Sequence, residues 1–302
     1  MRRKLPYIVL AILLFLCVLS TVRLYVIYGE YRSEAGEFDR LIQEYTVRQD
    51  TPAERPTAAP LVRLDECTRT DVRVSGNTGT QDSEETAPVV APEQPEDPSP
   101  DARATTLQPP IQVDFEALMA RNPDSVGWIL VEGTNVSYPV MQASNSNSYY
   151  LNHTMDGKVS KSGSIFMDCY CKSGDELSAN TILYGHNMKD GSMFYCLKDL
   201  LKQEDWEHTL SMWFLTGKDS YRILPYAALA VKPGSWMYHI DFSTPEVRQE
   251  YIDRVVENAE ILGTERPREG DLLITLSTCS QVFHDARYVI QGILVPSIPV
   301  NS

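Results

Sequence analysis

The sequence predicts a mainly β domain, closed or nearly closed into a barrel, carried on one N-terminal membrane-spanning helix. Three observations point there. About eight short β-rich runs fill under 200 residues from Ile111 onward, an apolar run opens the chain, and the stretch between them has the composition of unstructured polypeptide.

Met1-Arg2-Arg3-Lys4 precedes the apolar run 5–22, which resumes after Arg23 as Leu24, Tyr25, Val26, Ile27 and Tyr28. Roughly 20 residues at 1.5 Å each cross the ~30 Å hydrocarbon layer, so 5–28 reads as a transmembrane anchor. Arg23 lies near the outer end of that span, where its stem can snorkel to the headgroups. The run is long for the apolar core of a signal peptide and no A-x-A-like site follows it, which favours a retained anchor over a cleaved leader. Cationic residues before the span put the tip, 1–4, in the cytoplasm and everything after the span on the outer face of the cell membrane.

Within 29–45, Phe38, Leu41, Ile42 and Tyr45 recur at helical spacing and predict a short juxtamembrane helix. From 46 to 110 the character changes: ten of the nineteen prolines fall here, and no Phe, Trp or Tyr does. Such a segment has too little apolar surface to offset its chain entropy, and it reads as a disordered stalk rich in Pro, Thr and Glu. Cys67 within it has no evident partner.

The remainder, 111–302, reads as the folded domain. Val113, Phe115, Leu118 and Met119 suggest a short amphipathic helix that ends near Asn122-Pro123. The β-rich runs are 126–131, 137–140, 163–167, 181–184, 210–215, 220–231, 272–276 and 288–295, separated by Gly157, Gly174, Asn187, Gly191, Gly217 and Gly234. One segment breaks the pattern. Thr244 can cap, Pro245 suits the first helical position, and Val247, Tyr251, Ile252, Val255, Val256 and Ala259 form a stripe, predicting a peripheral helix over 244–262.

Composition narrows the function. With 27 Lys+Arg against 41 Asp+Glu the formal net charge is -14, which argues against nucleic-acid binding. Six cysteines in 302 residues are too few for a disulfide scaffold. Cys169-x-Cys171 with Cys196 lacks a fourth ligand, so no metal site and no cofactor is expected; a disulfide among the three and free thiols both stay open.

The segment Leu272-Leu273-Ile274-Thr275-Leu276-Ser277-Thr278-Cys279 carries a cysteine out of an apolar strand into a loop, with Arg287 eight residues on. Cysteine is among the most buried residue types, and alone Cys279 would signify packing. A strand end opening into a loop is different, because a rigid scaffold holds the group where substrate can reach it. A thiol nucleophile needs a partner for its proton, and histidine titrates in the right range. Spacing does not decide among five histidines. His153, His208 and His239 sit in polar or aromatic surroundings and His284 in a local loop, whereas His186 follows the strand Thr181-Ile182-Leu183-Tyr184 in a second strand-end turn. Two such motifs converging on one rim favour His186. Arg287 could be a solvated charge, or a planar donor to a carbonyl oxygen that turns anionic.

These residues resemble the sortase family, class B, the membrane-anchored cysteine transpeptidases of Gram-positive bacteria. The likeness runs through Val113-Asp114-Phe115-Glu116-Ala117-Leu118, Asn122-Pro123-Asp124-Ser125-Val126-Gly127-Trp128, Tyr149-Tyr150-Leu151-Asn152 and Gly163-Ser164-Ile165-Phe166. It is strongest in Leu183-Tyr184-Gly185-His186-Asn187-Met188-Lys189-Asp190-Gly191-Ser192-Met193-Phe194 and in Thr275-Leu276-Ser277-Thr278-Cys279 with Arg287. The helix before the cysteine strand also looks like the class B insertion. The resemblance implies an eight-stranded sortase β-barrel with Cys279 as nucleophile, His186 as catalytic histidine and Arg287 as catalytic arginine. It implies that Ser277, Tyr184, Asn147 and Leu151 line the groove for a C-terminal sorting signal of secreted proteins. Family members cut that signal after a threonine, form a thioacyl enzyme, and pass the acyl group to an amine on a lipid-linked peptidoglycan precursor, with no calcium requirement. Two rival readings stand beside it: an extracellular cysteine endopeptidase that releases its acyl group to water, and a non-catalytic surface module in which Cys279 is structural. The long stalk departs from what the class leads one to expect.

Overall fold

The computed structural model describes residues 5–49, 105–198, 211–232, 234–279 and 286–297, without the side chains of 5–11, 27, 28, 30–35, 198 and 279. The expected cytoplasmic tip, most of the expected stalk with Cys67, and His208 and His284 lie outside the described residues.

In chain order the elements are α1 (Leu5–Tyr45), β1 (Thr46–Arg48), β2 (Ile111–Val113), α2 (Phe115–Arg121), β3 (Ser125–Val131), β4 (Ser137–Met141), β5 (Ile165–Met167), β6 (Asn180–Gly185), β7 (Met212–Leu215), β8 (Ser220–Val231), α3 (Pro245–Asn258), β9 (Ile261–Leu262), β10 (Leu272–Cys279) and β11 (Arg287–Pro296). All eight β-rich runs are strands. Around the barrel the order is β11-β10-β6-β5-β4-β3-β7-β8, and β8 pairs back onto β11 to close it. Two contacts are parallel, β4–β5 and β6–β10, and the rest are antiparallel.

The strands read as near-continuous apolar runs because both faces are covered. Every strand of the barrel contributes to one inner cluster, through Ile129, Val140, Ile165, Leu183, Phe214, Ile223, Ile274 and Ile290. On one outer face α3 lays Tyr251, Ile252 and Val255 over Leu229, Leu273, Val289 and Ile293. On another, α1 and α2 bring Leu41, Tyr45 and Leu118 against Trp128, Leu130 and Trp213.

Some boundaries differ from the sequence reading. The anchor expected over 5–28 and the helix expected over 29–45 form one continuous helix, about 60 Å long. Leu41 and Tyr45, expected beside the membrane, are 4% and 5% exposed inside the domain. The stalk does not begin at 46 or run to 110. Thr46–Arg48 pairs antiparallel with Ile111–Val113, Gln49 N donates to the Pro110 carbonyl at 2.8 Å, and Thr105 bridges Ser297. A three-residue ladder is satisfied by backbone groups, which composition does not reveal. The peripheral helix starts where expected, with Thr244 Oγ1 accepting from Val247 N at 3.3 Å, but it stops at Asn258. Ala259 turns extended and Ile261–Leu262 pairs with β8 instead. Among the described residues no helix is long and apolar enough to cross a membrane.

Candidate active site

The barrel brings three distant pieces of chain to one end. β10 lies between β6 and β11. On one side Cys279, the last residue of β10, is the register partner of Arg287, the first residue of β11. On the other side β6 runs parallel to β10, with Thr278 opposite Gly185. One step further along both chains come Cys279 and His186. The backbones of all three residues therefore meet at the same rim.

His186 leaves β6 into a turn closed by the bridge Asn187–Met193 and by Phe194 N, which donates to the His186 carbonyl at 2.9 Å. Its Nε2 lies 2.7 Å from the carbonyl oxygen of Leu151. A carbonyl only accepts, so Nε2 carries the hydrogen in this contact. That carbonyl is itself positioned. Gly163 has φ +56, and a Cβ on it would lie 2.5 Å from the carbonyl oxygens of both Tyr150 and Leu151, so only glycine lets the two segments approach this closely. Arg287 is half-buried, and its Nη1 donates to the Ala286 carbonyl at 3.2 Å.

The residues expected to line a groove are connected to this rim by different routes. Leu151 is 42% exposed and reaches His186 through its backbone. Ser277, opposite Tyr184 across β10 and β6, is buried, with its Oγ 3.0 Å from the Tyr238 hydroxyl. Tyr184 lies between Phe166 and Tyr238, with ring centroids 5.3 and 5.9 Å away, and donates to Asp168 Oδ2 at 2.9 Å. Burial, and after it the Asp168 charge, pushes the pKa of that hydroxyl up, so it keeps its proton as a donor. Asn147 Nδ2 donates to the same Asp168 oxygen at 2.8 Å.

Sequence reasoning missed Asp168, Tyr238 and the Leu151 carbonyl. Only Tyr238 carried any signal, as part of the aromatic-rich segment Trp236-Met237-Tyr238-His239. The remaining described histidines serve packing: His153 stacks on Tyr149 at 4.3 Å and His239 faces Phe242 at 6.4 Å. Cys169 and Cys171 carry thiols rather than a shared disulfide. Burial pushes the Cys171 thiol up to about 12, which makes it inert.

No family model matches the chain. Over 199 residues it is 33% identical to sortase B of Listeria monocytogenes, covering 65% of this chain and 79% of that protein. Over 175 residues it is 32% identical to sortase B of Staphylococcus aureus, covering 58% and 71%. Among solved structures, the Staphylococcus aureus sortase B–substrate complex matches with a TM-score of 0.57 at 32% identity, covering 60% of this chain and 84% of that one. Sortase B of Clostridium perfringens matches with a TM-score of 0.56 at 25% identity, covering 60% of this chain and 100% of that one.

Proposed function

The chain belongs to the class B sortases, a family of cysteine transpeptidases, and on that premise we propose which of its residues perform the transfer and on what. Cys279 is the nucleophile, His186 its proton partner and Arg287 the donor to the oxyanion. The single observation behind this assignment is register: Cys279 stands opposite Arg287 and one step past the Thr278–Gly185 pair that leads into His186.

The sulfur of Cys279 attacks the carbonyl carbon of the peptide bond that follows the sorting motif's threonine, and the carbonyl electron pair moves to oxygen. The Arg287 guanidinium donates to that oxygen. As the C–N bond breaks, His186 gives the leaving amine its proton and a thioester remains on Cys279. An acceptor amine, carried by a lipid-linked peptidoglycan precursor, then attacks the thioester and returns a proton to the Cys–His pair as the sulfur leaves. A site that orients an amine beside the thioester favours transfer over hydrolysis. Ser277, Tyr184, Asn147 and Leu151 line the groove that holds the sorting signal of secreted proteins. The scheme needs no metal and no cofactor.

The same proposal puts 5–28 in the membrane, with the tip in the cytoplasm and the barrel outside. Two features support it. Cationic residues precede the run, and most described side chains of that part of α1 are apolar yet exposed, Phe15 at 64% and Leu24 at 70%, which water would not tolerate over such a length.

The test is cleavage of a quenched peptide library built around Asn-Pro-x-Thr, Ser-Pro-x-Thr and Pro-Pro-x-Thr by the full chain in detergent, with and without a peptidoglycan-type amine. We expect an amide conjugate when the amine is present. Free acid alone would mark an endopeptidase instead. Cys279→Ala and His186→Ala should be inactive, and Arg287→Lys should lose roughly 10²–10³ in kcat, the cost of one oxyanion donor. Turnover like the parent in any of these variants removes that residue from the mechanism.

A further inference from the structure

We infer that Asp168 is a positioning residue for substrate recognition: its carboxylate, sealed behind the groove wall, holds Asn147 and Tyr184 in the orientation in which they meet the sorting signal. The inference rests on reading those two as groove residues.

Asp168 directly follows β5, where its N–H continues the ladder by donating to the Ile182 carbonyl at 2.9 Å. It is 6% exposed. A buried carboxylate is costly unless donors surround it, and three do. Asn147 Nδ2 and the Tyr184 hydroxyl converge on Oδ2 at 2.8 and 2.9 Å, while Tyr170 N donates to Oδ1 at 3.0 Å. The next residue completes the grip, with Cys169 N donating to Asn147 Oδ1 at 2.7 Å. The 168–170 turn therefore holds the Asn147 carboxamide at both ends, which fixes its flip as well as its place.

Tyr184 is held in a different way. Its only proton is committed to Asp168, so toward a peptide its oxygen can only accept. Its ring lies against Tyr238, whose hydroxyl is 3.0 Å from Ser277 Oγ, two residues before the nucleophile. One carboxylate thus ties the loop after β4 to β6, and β6 through Tyr238 to β10. These contacts lead to Asn147, Tyr184 and Ser277, the residues read as groove lining, so the effect belongs to binding of the peptide rather than to bond making.

An amide cannot replace this carboxylate. Asn at 168 has one accepting atom. If it serves Asn147 and Tyr184, its NH₂ faces the Tyr170 N–H, and if it serves Tyr170, its NH₂ faces the Asn147 NH₂. Either way two donors oppose each other in a part-buried place.

The measurement is steady-state kinetics on the best library peptide, beside the alkylation rate of Cys279 by iodoacetamide and the melting temperature. For Asp168→Asn we expect KM to rise about tenfold or more, kcat to stay within about threefold, and alkylation to keep the parent rate; uniform binding lost without chemistry lost gives this split. Asn147→Ala and Tyr184→Phe should each raise KM, and combining either with Asp168→Asn should add little, because the pairs act as one unit. If Asn147→Ala and Tyr184→Phe leave KM unchanged, the groove assignment itself fails. If they raise KM and Asp168→Asn does not, or if Asp168→Asn lowers kcat and alkylation together, the inference about Asp168 fails alone. Should Asp168→Asn not fold, Asp168→Ser decides by the same split, since it removes the carboxylate without setting an NH₂ against the donors that it held.

Discussion

Gly185 ends β6 in a space with no room for a methyl group. A Cβ there would lie 2.5 Å from Ile165 Cδ1 and 2.7 Å from Phe194 Cδ2, both of them buried side chains. Gly185→Ala therefore forces either the strand end or the Phe194 ring to move. Overpacking of this kind costs about 1–3 kcal/mol, and here it acts on the residue next to His186. We expect a lower melting temperature and a fall in kcat larger than the stability loss explains, since a displacement of about 1 Å at a reacting group costs on the order of 10² in rate. A variant with parent kcat would show that His186 is located by its Leu151 contact rather than by β6. The three residues proposed for chemistry were legible in the sequence because cysteine, histidine and arginine announce their chemistry. Asp168 was not, since an aspartate between Met167 and Cys169 says nothing of the donors it will meet. The Leu151 carbonyl was less visible still, because every residue has one.

At the next scale, α1, α2 and the hairpin bridged by His153 and Val159 meet at Arg121. Arg121 at the end of α2 makes a two-pronged contact with Asp156, Nε to Oδ1 and Nη2 to Oδ2, both at 2.8 Å. Its Nη1 reaches Glu44 of α1 at 3.2 Å, and its guanidinium stands 5.8 Å from the Tyr45 ring centroid. Lys158 of the hairpin adds a contact with Glu37 at 3.8 Å. Hydrogen bonds from Arg121 hold the Asp156 carboxyl below the usual carboxylate range. A depressed folded-state pKa stabilises the fold above the unfolded value of about 4, and that contribution is lost as pH falls through the lower folded value. Asp156→Asn should cost roughly 1 kcal/mol at pH 7, at the strong end for a partly exposed pair because the geometry is bidentate. The difference from the parent should fade below about pH 4. Parallel acid titrations of both proteins by circular dichroism check this; a constant gap down to pH 2 would rule out the ion pair as its source. This clamp was hidden from sequence because its partners are far apart along the chain. The eight strands of the barrel, in contrast, were legible as apolar runs, whereas β1, β2 and β9 were not. What failed was their ends: β10 continues through Ser277 and Thr278, polar residues that remain in the ladder because β6 and β11 flank them on both sides, to Cys279, which pairs with β11.

For the molecule as a whole, the consequential difference lies between Gln49 and Pro110. Composition marked the intervening segment as a tether in series, with the anchor at one end and the barrel at the other. β1 and β2 are antiparallel neighbours, so the chain leaves the fold and returns to it at one place, and the last turns of α1 are already packed on the barrel. The length of α1 therefore governs how far the barrel stands from where that helix begins. Deleting 51–99 is the direct test. It shortens the connection between Gln49 and Pro110 from 60 residues to 11, still long enough to pass through the Thr105 bridge to Ser297. Loop-closure entropy scales as (3/2)RT ln n, so the shorter loop should stabilise the fold by about 1.5 kcal/mol. For a domain of this size that is a rise of roughly 3–6 °C in melting temperature. Peptide cleavage and transfer in detergent should keep the parent kcat and KM, because Gln49 and Thr105 are tied to Pro110 and to Pro296, the latter at the opposite end of β11 from Arg287. A barrel that melts lower, or fails to fold, would mean that the segment belongs to the structure after all, and that β1 and β2 are held together by it rather than it by them.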